Sequence, residues 1–241
     1  MLRFRLKLSL LVVVLLPILI SLGVWQVSRY QDKLKLEQVY ESRRQLAPLS
    51  LSSLSDLESW SDPLFLPLEV TGQFISNQYF LLDNQVFQGK PGYQVLMPFV
   101  SHGGDWLLIN RGWIPLQNRE TLPEITTPSG TQTIQGRIYR SFGDSFMLSE
   151  DLWSEGWPKR IQSLDFDRIE KTLNRKLPAI TLVLSHGEPG AEQVKPISIN
   201  MKSEKHLAYA IQWFAMALVL VGLYIFRMRR PPQNRPVKQE G

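Results

Sequence analysis

The chain has 241 residues, a formal net charge of +5 and 44% hydrophobic residues, which excludes disordered and collagen-like proteins. It contains no cysteine, so disulfides, thiolate metal sites, cysteine nucleophiles and covalent c-type haem are excluded as well. With three histidines, a site with three histidine ligands would use all of them. The positive charge suggests a polyanionic partner, and its distribution along the chain tests that suggestion.

An apolar segment near the N-terminus is long enough to cross a membrane. Residues 1–7 carry three basic side chains, and residues 8–27 then contain no charge over 20 positions. A helix of about 20 residues crosses a hydrocarbon core. The alternative is a cleavable signal peptide, for which Ser21-Leu22-Gly23 is a fair cleavage site. The length of the segment and Trp25, which suits a membrane interface, favour an uncleaved transmembrane helix.

The central part of the chain predicts a helix followed by short strands. Opposite charges three or four positions apart between Arg29 and Glu37 favour a helix leaving the membrane, which Ala47-Pro48 ends. Beyond it, turn residues separate short runs of β-branched and aromatic residues. Strands are expected at 68–74, 79–84, 93–100, 105–110, 131–140, 179–185 and 195–200. Residues 165–173 predict a soluble helix.

A second uncharged segment of 20 residues, from Leu207 to Phe226, precedes a basic tail. The tails 1–7 and 227–241 together carry eight basic residues and one acid, a net charge of +7. Because basic residues mark the cytoplasmic ends of spans, both termini are predicted to be cytoplasmic. The segment 28–206 then lies on the opposite side, in the periplasm of a bacterium. It has 19 basic and 21 acidic residues, so nucleic acid is not an expected partner.

These elements predict a membrane-anchored α+β protein. Transmembrane helices at 8–27 and 207–226 flank one β-rich domain, whose core covers about 66–200. Consecutive strands with short turns favour antiparallel pairing in an open barrel or a sandwich, with one or two helices. The cell inner membrane is the expected location, with membrane lipid around both spans.

The sequence lacks the motifs of common enzymes. It contains no Gly-rich phosphate loop, no H-E-x-x-H and no G-x-S-x-G. His102 and His186 each lie beside glycine and are interpreted as turn histidines. No catalytic residue is therefore expected, although a periplasmic hydrolase using Ser, Asp and one of these histidines is an alternative hypothesis.

His206 begins the second span at the end away from the cytoplasm. Helical spacing places Tyr209, Ala210 and Trp213 on the same side of that helix. A neutral imidazole at this position is a candidate ligand for haem iron, with the aromatic rings lining the porphyrin. The alternative is a histidine and aromatic residues that face lipid headgroups, as is common at membrane interfaces. A copper site is disfavoured because no second ligand cluster accompanies His206.

The end of the first span reaches the same depth if the two spans are antiparallel. It brings Trp25, Gln26 and Arg29 near His206, so that Trp25 and Gln26 join the candidate haem site. Arg29 or Lys205 is placed to pair with a propionate.

Several blocks along the chain resemble the Surfeit locus protein 1 family, which serves cytochrome c oxidase assembly. The order of the blocks, the two anchors and the length all agree with that family. The matching blocks are G-V-W-Q-V-S-R at 23–29, V-T-G-Q-F at 70–74, L-D-N-Q at 82–85 with G-K-P-G-Y-Q-V at 89–95, L-I-N-R-G-W-I-P at 108–115, G-R-I at 136–138 and H-L-A-Y-A-I-Q-W-F at 206–214.

The resemblance implies a role in delivering haem a to the large subunit of the oxidase, or in stabilising that subunit. It associates haem binding with the histidine that opens the second span, here His206. The large subunit, and with it haem a synthase, are the implied partners, for which the loop 89–115 is a candidate surface. Its Tyr93, Trp106 and Trp113 are equally candidates for the core, and at least two are expected there. Arg111 and Trp113 are expected to form a strand and turn, with Gly112 at the turn.

The residues also support a second hypothesis from a different class. In it the protein is a membrane-tethered scaffold that clamps the helices of a partner and never binds haem. Trp25, Gln26 and His206 are then helix-packing groups.

Overall fold

The computed structural model describes residues 2–50, 62–118, 121–140, 153, 155–195, 197 and 203–229. The chain divides into two compact units. One is formed by Met1–Gln38 together with Ser198–Gly241, and the other is Val39–Ile197. The first unit contains both predicted spans, and the second contains the predicted strands.

Two long helices contain the predicted membrane spans. The helices of the described chain are α1 (Leu2–Arg44), α2 (Phe166–Leu173) and α3 (Ser203–Arg229). Helices α1 and α3 are long and apolar enough to cross a membrane, with mean hydropathies of 2.7 and 1.9 in their most apolar windows. Only 11% of each window is buried inside the protein, so most of this apolar surface remains available to hydrocarbon.

The second unit is built on one sheet whose strands occur largely where the sequence predicts them. The strands are β1 (Leu49–Ser50), β2 (Pro67–Phe74), β3 (Phe80–Phe87), β4 (Lys90–Ser101), β5 (Trp106–Pro115), β6 (Gln132–Tyr139), β7 (Lys159–Ile161) and β8 (Thr181–Leu184). A turn at Gln88-Gly89 joins β3 to β4, and one at His102-Gly103-Gly104 joins β4 to β5. The predicted strand at 195–200 and the serine-rich stretch beyond Ser50 lie mostly outside the described residues.

The sheet closes on itself. Its strand order is β1-β2-β6-β8-β5-β4-β3-β7, and β2 also pairs with β4. The closing contact runs from Gly72 opposite Ser101 to Phe74 opposite Phe99. Strands β2, β6, β8, β5 and β4 therefore form a ring, which confirms the predicted barrel-like, β-rich domain between two apolar helices.

Strand pairing is mixed. The pairs β1–β2, β3–β7 and β5–β8 are parallel, whereas the other pairs are antiparallel. A parallel pair needs a long crossover rather than a tight turn. The segment between β5 and β8 supplies one, since it includes β6, β7 and α2 before the chain returns beside β5.

Alternating side chains of the strands enter two hydrophobic clusters on opposite faces of the sheet. The larger cluster includes Leu81, Val95, Met97 and Ile109. The residues next to these along each strand point to the other face and pack with α2. The smaller cluster consists of Phe80, Leu82, Leu96, Leu108, Ile161, Ile169, Leu173 and Leu177. Strands that are apolar on both faces produce the continuous hydrophobic runs seen in the sequence.

The segment 89–115 is not a loop, contrary to its interpretation as a docking loop. It forms β4, β5 and the turn between them. Tyr93 and Trp113 are buried, which confirms the expectation that at least two of the three aromatic residues belong to the core, and Trp106 is partly buried. The indole of Trp113 donates to the carbonyl oxygen of Gln85 at 2.8 Å.

The prediction of a turn at Gly112 is also wrong, because β5 continues through this residue with a bulge. Val95 lies opposite Gly112 and Leu96 opposite Asn110, so Arg111 is the extra residue. A bulge redirects a side chain relative to the regular alternation of the strand. Gly112 has φ +116°, and a Cβ there would lie 2.8 Å from the carbonyl oxygen of Gln193. The glycine therefore permits a bulge rather than a turn.

The bulge directs Arg111 into the protein, where 1% of it is exposed. Its Nε donates to the carbonyl oxygen of Gly190 at 2.5 Å, and one terminal nitrogen donates to that of Thr126 at 2.8 Å. The same nitrogen lies 3.4 Å from the Glu192 carboxylate. Burial lowers the pKa of Arg111, and Glu192 opposes that effect. The guanidinium remains charged and ties two loops to β5.

Helix α2 carries an acid-sensitive contact at its C-terminal end. Glu170 accepts hydrogen bonds from Lys176 at 2.6 Å and from the backbone N–H of Leu177 at 3.0 Å. The Lys176 bond, followed by that from Leu177, lowers the pKa of Glu170 from its ordinary value of 4.5. The unfolded chain thus binds the proton more readily, so this contribution to stability is present above about pH 4.5 and is lost as pH falls through the lower native pKa.

We therefore expect Glu170→Gln to lose less stability than the wild type when the pH falls from 7 to 3. Thermal unfolding of the full chain at each pH measures the difference. The variant Glu155→Gln, at an exposed carboxylate, is the control and should follow the wild type. Equal acid sensitivity of wild type and Glu170→Gln would contradict the assignment.

Candidate functional site between the long helices

The structure brings together two of the residues that the sequence places in a candidate site. In the unit of α1 and α3, His206 Nδ1 lies 2.8 Å from Gln26 Oε1. An amide oxygen accepts hydrogen bonds, so Nδ1 carries the hydrogen and donates it. In a neutral imidazole the lone pair then lies on Nε2, which is the tautomer of a histidine that ligates metal through Nε2.

Contacts on both sides of this pair align α1 with α3. The hydroxyls of Ser9 and Tyr224 are 2.9 Å apart. At the start of α3, Glu37 accepts from the Ser203 backbone N–H at 2.9 Å and from its hydroxyl at 2.6 Å. A carboxylate at a helix N-terminus satisfies free N–H groups and is favoured by the helix dipole. These contacts fix the antiparallel register that sets His206 beside Gln26.

A glycine permits close approach of the helices next to the site. A Cβ on Gly23 would lie 2.6 Å from the ring of Phe214, so any larger residue displaces that ring. We expect Gly23→Leu to destabilise the helix pair by about 1–3 kcal/mol, as overpacking does elsewhere. Thermal unfolding of the full chain in lipid nanodiscs measures this. Gly222→Leu is the control, because a Cβ at Gly222 meets nothing within 4 Å. Equal melting temperatures of the two variants would exclude close packing at Gly23.

The other predicted site residues leave much of their surface open. Tyr209 is 47% exposed and Trp25 is 51% exposed, while Trp213 is partly buried. Arg29 lies 3.6 Å from Asp32 in an exposed ion pair. Among the described residues, none of these four makes a hydrogen bond to His206. The structure thus joins Gln26 to His206 and leaves the aromatic faces and the Arg29 guanidinium at the surface of the helix pair.

This donor set fits one axial ligand to a haem rather than a protein-only metal centre. Nε2 of His206 is the candidate ligand atom, because Nδ1 of the same ring is hydrogen-bonded to Gln26. The described residues contain no group of three or more His, Cys, Asp or Glu side chains that could hold a metal ion. Exposed aromatic rings and a cationic side chain are also the groups that a porphyrin with carboxylates requires.

The two turn histidines are placed differently. His102 follows β4 in the turn to β5, and His186 lies in the turn after β8. Both are exposed, and neither side chain makes a hydrogen bond to another described residue. A hydrolytic triad needs a histidine bonded to a nucleophile and an orienting acid, and among the described residues neither turn histidine has such bonds.

Sequence reasoning missed Glu37 and Ser203 as a contact between the helices. Ser203 lies three residues before His206 and is 1% exposed. A Ser-x-x-His segment at the start of a helix gives an N-cap signal, but a capping acid 166 positions away in the chain has no local sequence signature.

Comparison with known proteins gives a consistent family match. The model of the SURF1 family matches residues 13–218. A SURF1-like protein of Rickettsia felis is 26% identical over 229 residues, covering 92% of this chain and 97% of that protein. A SURF1-like protein of Dictyostelium discoideum is 26% identical over 255 residues, covering 88% and 93% respectively. The matched region includes every strand of the sheet, residues 13–44 of α1 and residues 203–218 of α3.

Proposed function

Because this chain belongs to the SURF1 family, we propose that it is a cytochrome c oxidase assembly factor that binds haem a and assists its insertion into the large subunit. Haem a is cargo in this proposal, and the protein performs no covalent chemistry of its own. Haem a synthase is the proposed donor of the cargo. The protein lies in the inner membrane with both termini in the cytoplasm, so that the β-rich domain is periplasmic.

The observation that carries haem binding is the His206–Gln26 hydrogen bond. Gln26 holds the Nδ1 hydrogen of His206 and so keeps the Nε2 lone pair available to iron. Tyr209 and Trp213 follow on the same helix and line the porphyrin, with Trp25 from α1. Arg29 lies at the propionate edge, where its exposed position allows exchange of the Asp32 contact for a propionate.

The placement of the site suits transfer between membrane proteins. His206 lies at the end of its span away from the basic tail, at the depth of the membrane interface. With His206 as the one ligand among the described residues, the iron would be held from one face. A haem held on one face is easier to release to a second protein than one held on both.

The test is the absorption spectrum of the full-length protein, purified from cells that co-express the haem a biosynthetic enzymes. We expect a Soret band, and restored oxidase activity when the gene is supplied to a strain lacking it. Restored oxidase activity without any Soret band would favour the scaffold hypothesis. That hypothesis draws on the same contacts, since the Gln26–His206 and Glu37–Ser203 bonds also align the two helices.

Gln26 is a positioning residue in this proposal, and its substitution separates the two hypotheses. We expect Gln26→Leu to weaken haem affinity by about 10–100-fold, as loss of a group that orients a ligating histidine does. Gln26→Glu retains an acceptor and should keep most of the affinity. Titration with haem, followed by Soret absorbance, measures both variants. Unchanged affinity and an unchanged Soret maximum in Gln26→Leu would contradict the positioning role.

A further inference from the structure

An apolar groove follows the helix pair on the cytoplasmic side of His206. It has a volume of about 440 Å³ and is lined by Leu15 and Leu19 of α1 and by residues of α3 between Gln212 and Leu223. That volume falls within the range of about 300–1,000 Å³ that is usual for small-molecule sites. The groove lies entirely within one compact unit.

Gln212 is the single polar residue among the described residues that line the groove. It lies six residues beyond His206, which corresponds to about 9 Å along a helix at 1.5 Å per residue. Its side chain is exposed and makes no hydrogen bond with any residue that the structure describes. An amide at hydrocarbon depth lacks water, so a bound group that offers a donor or acceptor there is stabilised.

We propose that this groove receives the prenyl chain of the haem whose iron His206 binds. The inference rests on the proposed function and adds a binding subsite to it. Haem a and haem o carry a hydroxyalkyl chain in which a hydroxyl at the ring edge is followed by an isoprenoid tail. Gln212, at the end of the groove nearer His206, bonds the hydroxyl, and the apolar lining covers the tail.

The polarity of the groove distinguishes this occupant from membrane lipid. An acyl chain offers no hydrogen-bonding group at the depth of Gln212, whereas the base of the hydroxyalkyl chain does. The polar group lies at one end and the rest of the lining is hydrocarbon, including Ala215, Met216 and Leu223. The order along the groove, one amide followed by apolar side chains, matches a hydroxyl followed by a prenyl tail.

The test compares two haems that differ in this chain. The full-length protein in nanodiscs is titrated with haem o, which carries the chain, and with haem b, which has a vinyl group instead. Soret absorbance gives Kd for each. We expect the wild type to bind haem o at least tenfold more tightly, since only haem o offers a hydroxyl to the Gln212 amide where no water competes for it.

Three variants locate the selectivity. Ala215→Phe fills the groove and should weaken haem o binding about tenfold while leaving haem b binding unchanged. Gln212→Leu removes the amide and should reduce the preference for haem o severalfold. Leu218→Phe is the matched control, because Leu218 is 74% exposed and does not line the groove. It should bind both haems as the wild type does.

The outcomes separate this inference from the proposed function. Equal Kd values of the wild type for haem o and haem b overturn the groove assignment and leave haem binding at His206 intact. The same holds if Ala215→Phe binds haem o as the wild type does, which is the result expected if lipid or a partner helix occupies the groove. Absence of a saturable change in Soret absorbance with either haem overturns both proposals.

Discussion

Replacing His206 by alanine should abolish the Soret band of the purified protein. In the proposed site His206 is the one iron ligand among the residues that the structure describes, and its Nε2 is the atom that Gln26 keeps available. Loss of the ligand nitrogen leaves porphyrin contacts alone, and haem should be removed during purification. The measurement is the ratio of Soret to protein absorbance after co-expression with the haem a pathway.

Lys205→Ala is the control for this experiment. Lys205 adjoins His206 on α3 but is exposed, so its loss should retain the Soret band with at most a small change through a propionate contact. His206→Ala that copurifies as much haem as the wild type would disprove the ligand assignment. The helix pair should survive in the variant, because the Ser9–Tyr224 and Glu37–Ser203 contacts remain.

Replacing Arg111 by alanine should destabilise the β-rich unit by about 2–5 kcal/mol, the range for truncating a large buried side chain whose hydrogen-bond partners lose their donor. The variant leaves the carbonyl oxygens of Gly190 and Thr126 without their donor, and Glu192 without its cation. It also opens a cavity beside Met97. Hydrogen exchange of the β5 amides in the full chain, with chemical denaturation, measures the loss.

Arg160→Ala is the matched control for Arg111→Ala. Arg160 lies 3.8 Å from Asp83 with its side chain 46% exposed, and an exposed pair of this kind contributes about 0–1 kcal/mol. A cost for Arg111→Ala no greater than that for Arg160→Ala would refute the anchoring role. The Soret band of Arg111→Ala, measured below its unfolding temperature, should be unchanged, since the arginine belongs to the other compact unit.

The two anchors and most strands were predictable because their patterns are local. An uncharged run of 20 residues predicts a span wherever it occurs. Alternating or continuous apolar runs between glycine and proline turns likewise predict strands such as β2 and β6. The cap of α2 is equally local, since Asp165 accepts from the Arg168 backbone N–H at 3.0 Å.

Non-local features could be predicted only in part. The pairing of β5 with β8 depends on where a crossover of about 65 residues returns the chain, and no short pattern encodes that position. The segment N-R-G-W at 110–113 resembles a turn, but tertiary pairing with Gln193 makes it a bulge. Interpretation of 89–115 as a surface loop failed because its aromatic residues pack between strands.

The sequence by itself determined that this protein has two apolar helices, basic tails, a β-rich segment between them and no thiol chemistry. The net charge of +5, for example, is the sum of +7 in the two tails and −2 in the segment between the spans. Only the tertiary structure decided which side chains meet. Three features join residues that are distant in sequence: the Gln26–His206 bond, the contacts of buried Arg111, and the groove that Gln212 lines. Side-chain contacts depend on helix register and strand order, which are set by packing of the whole chain.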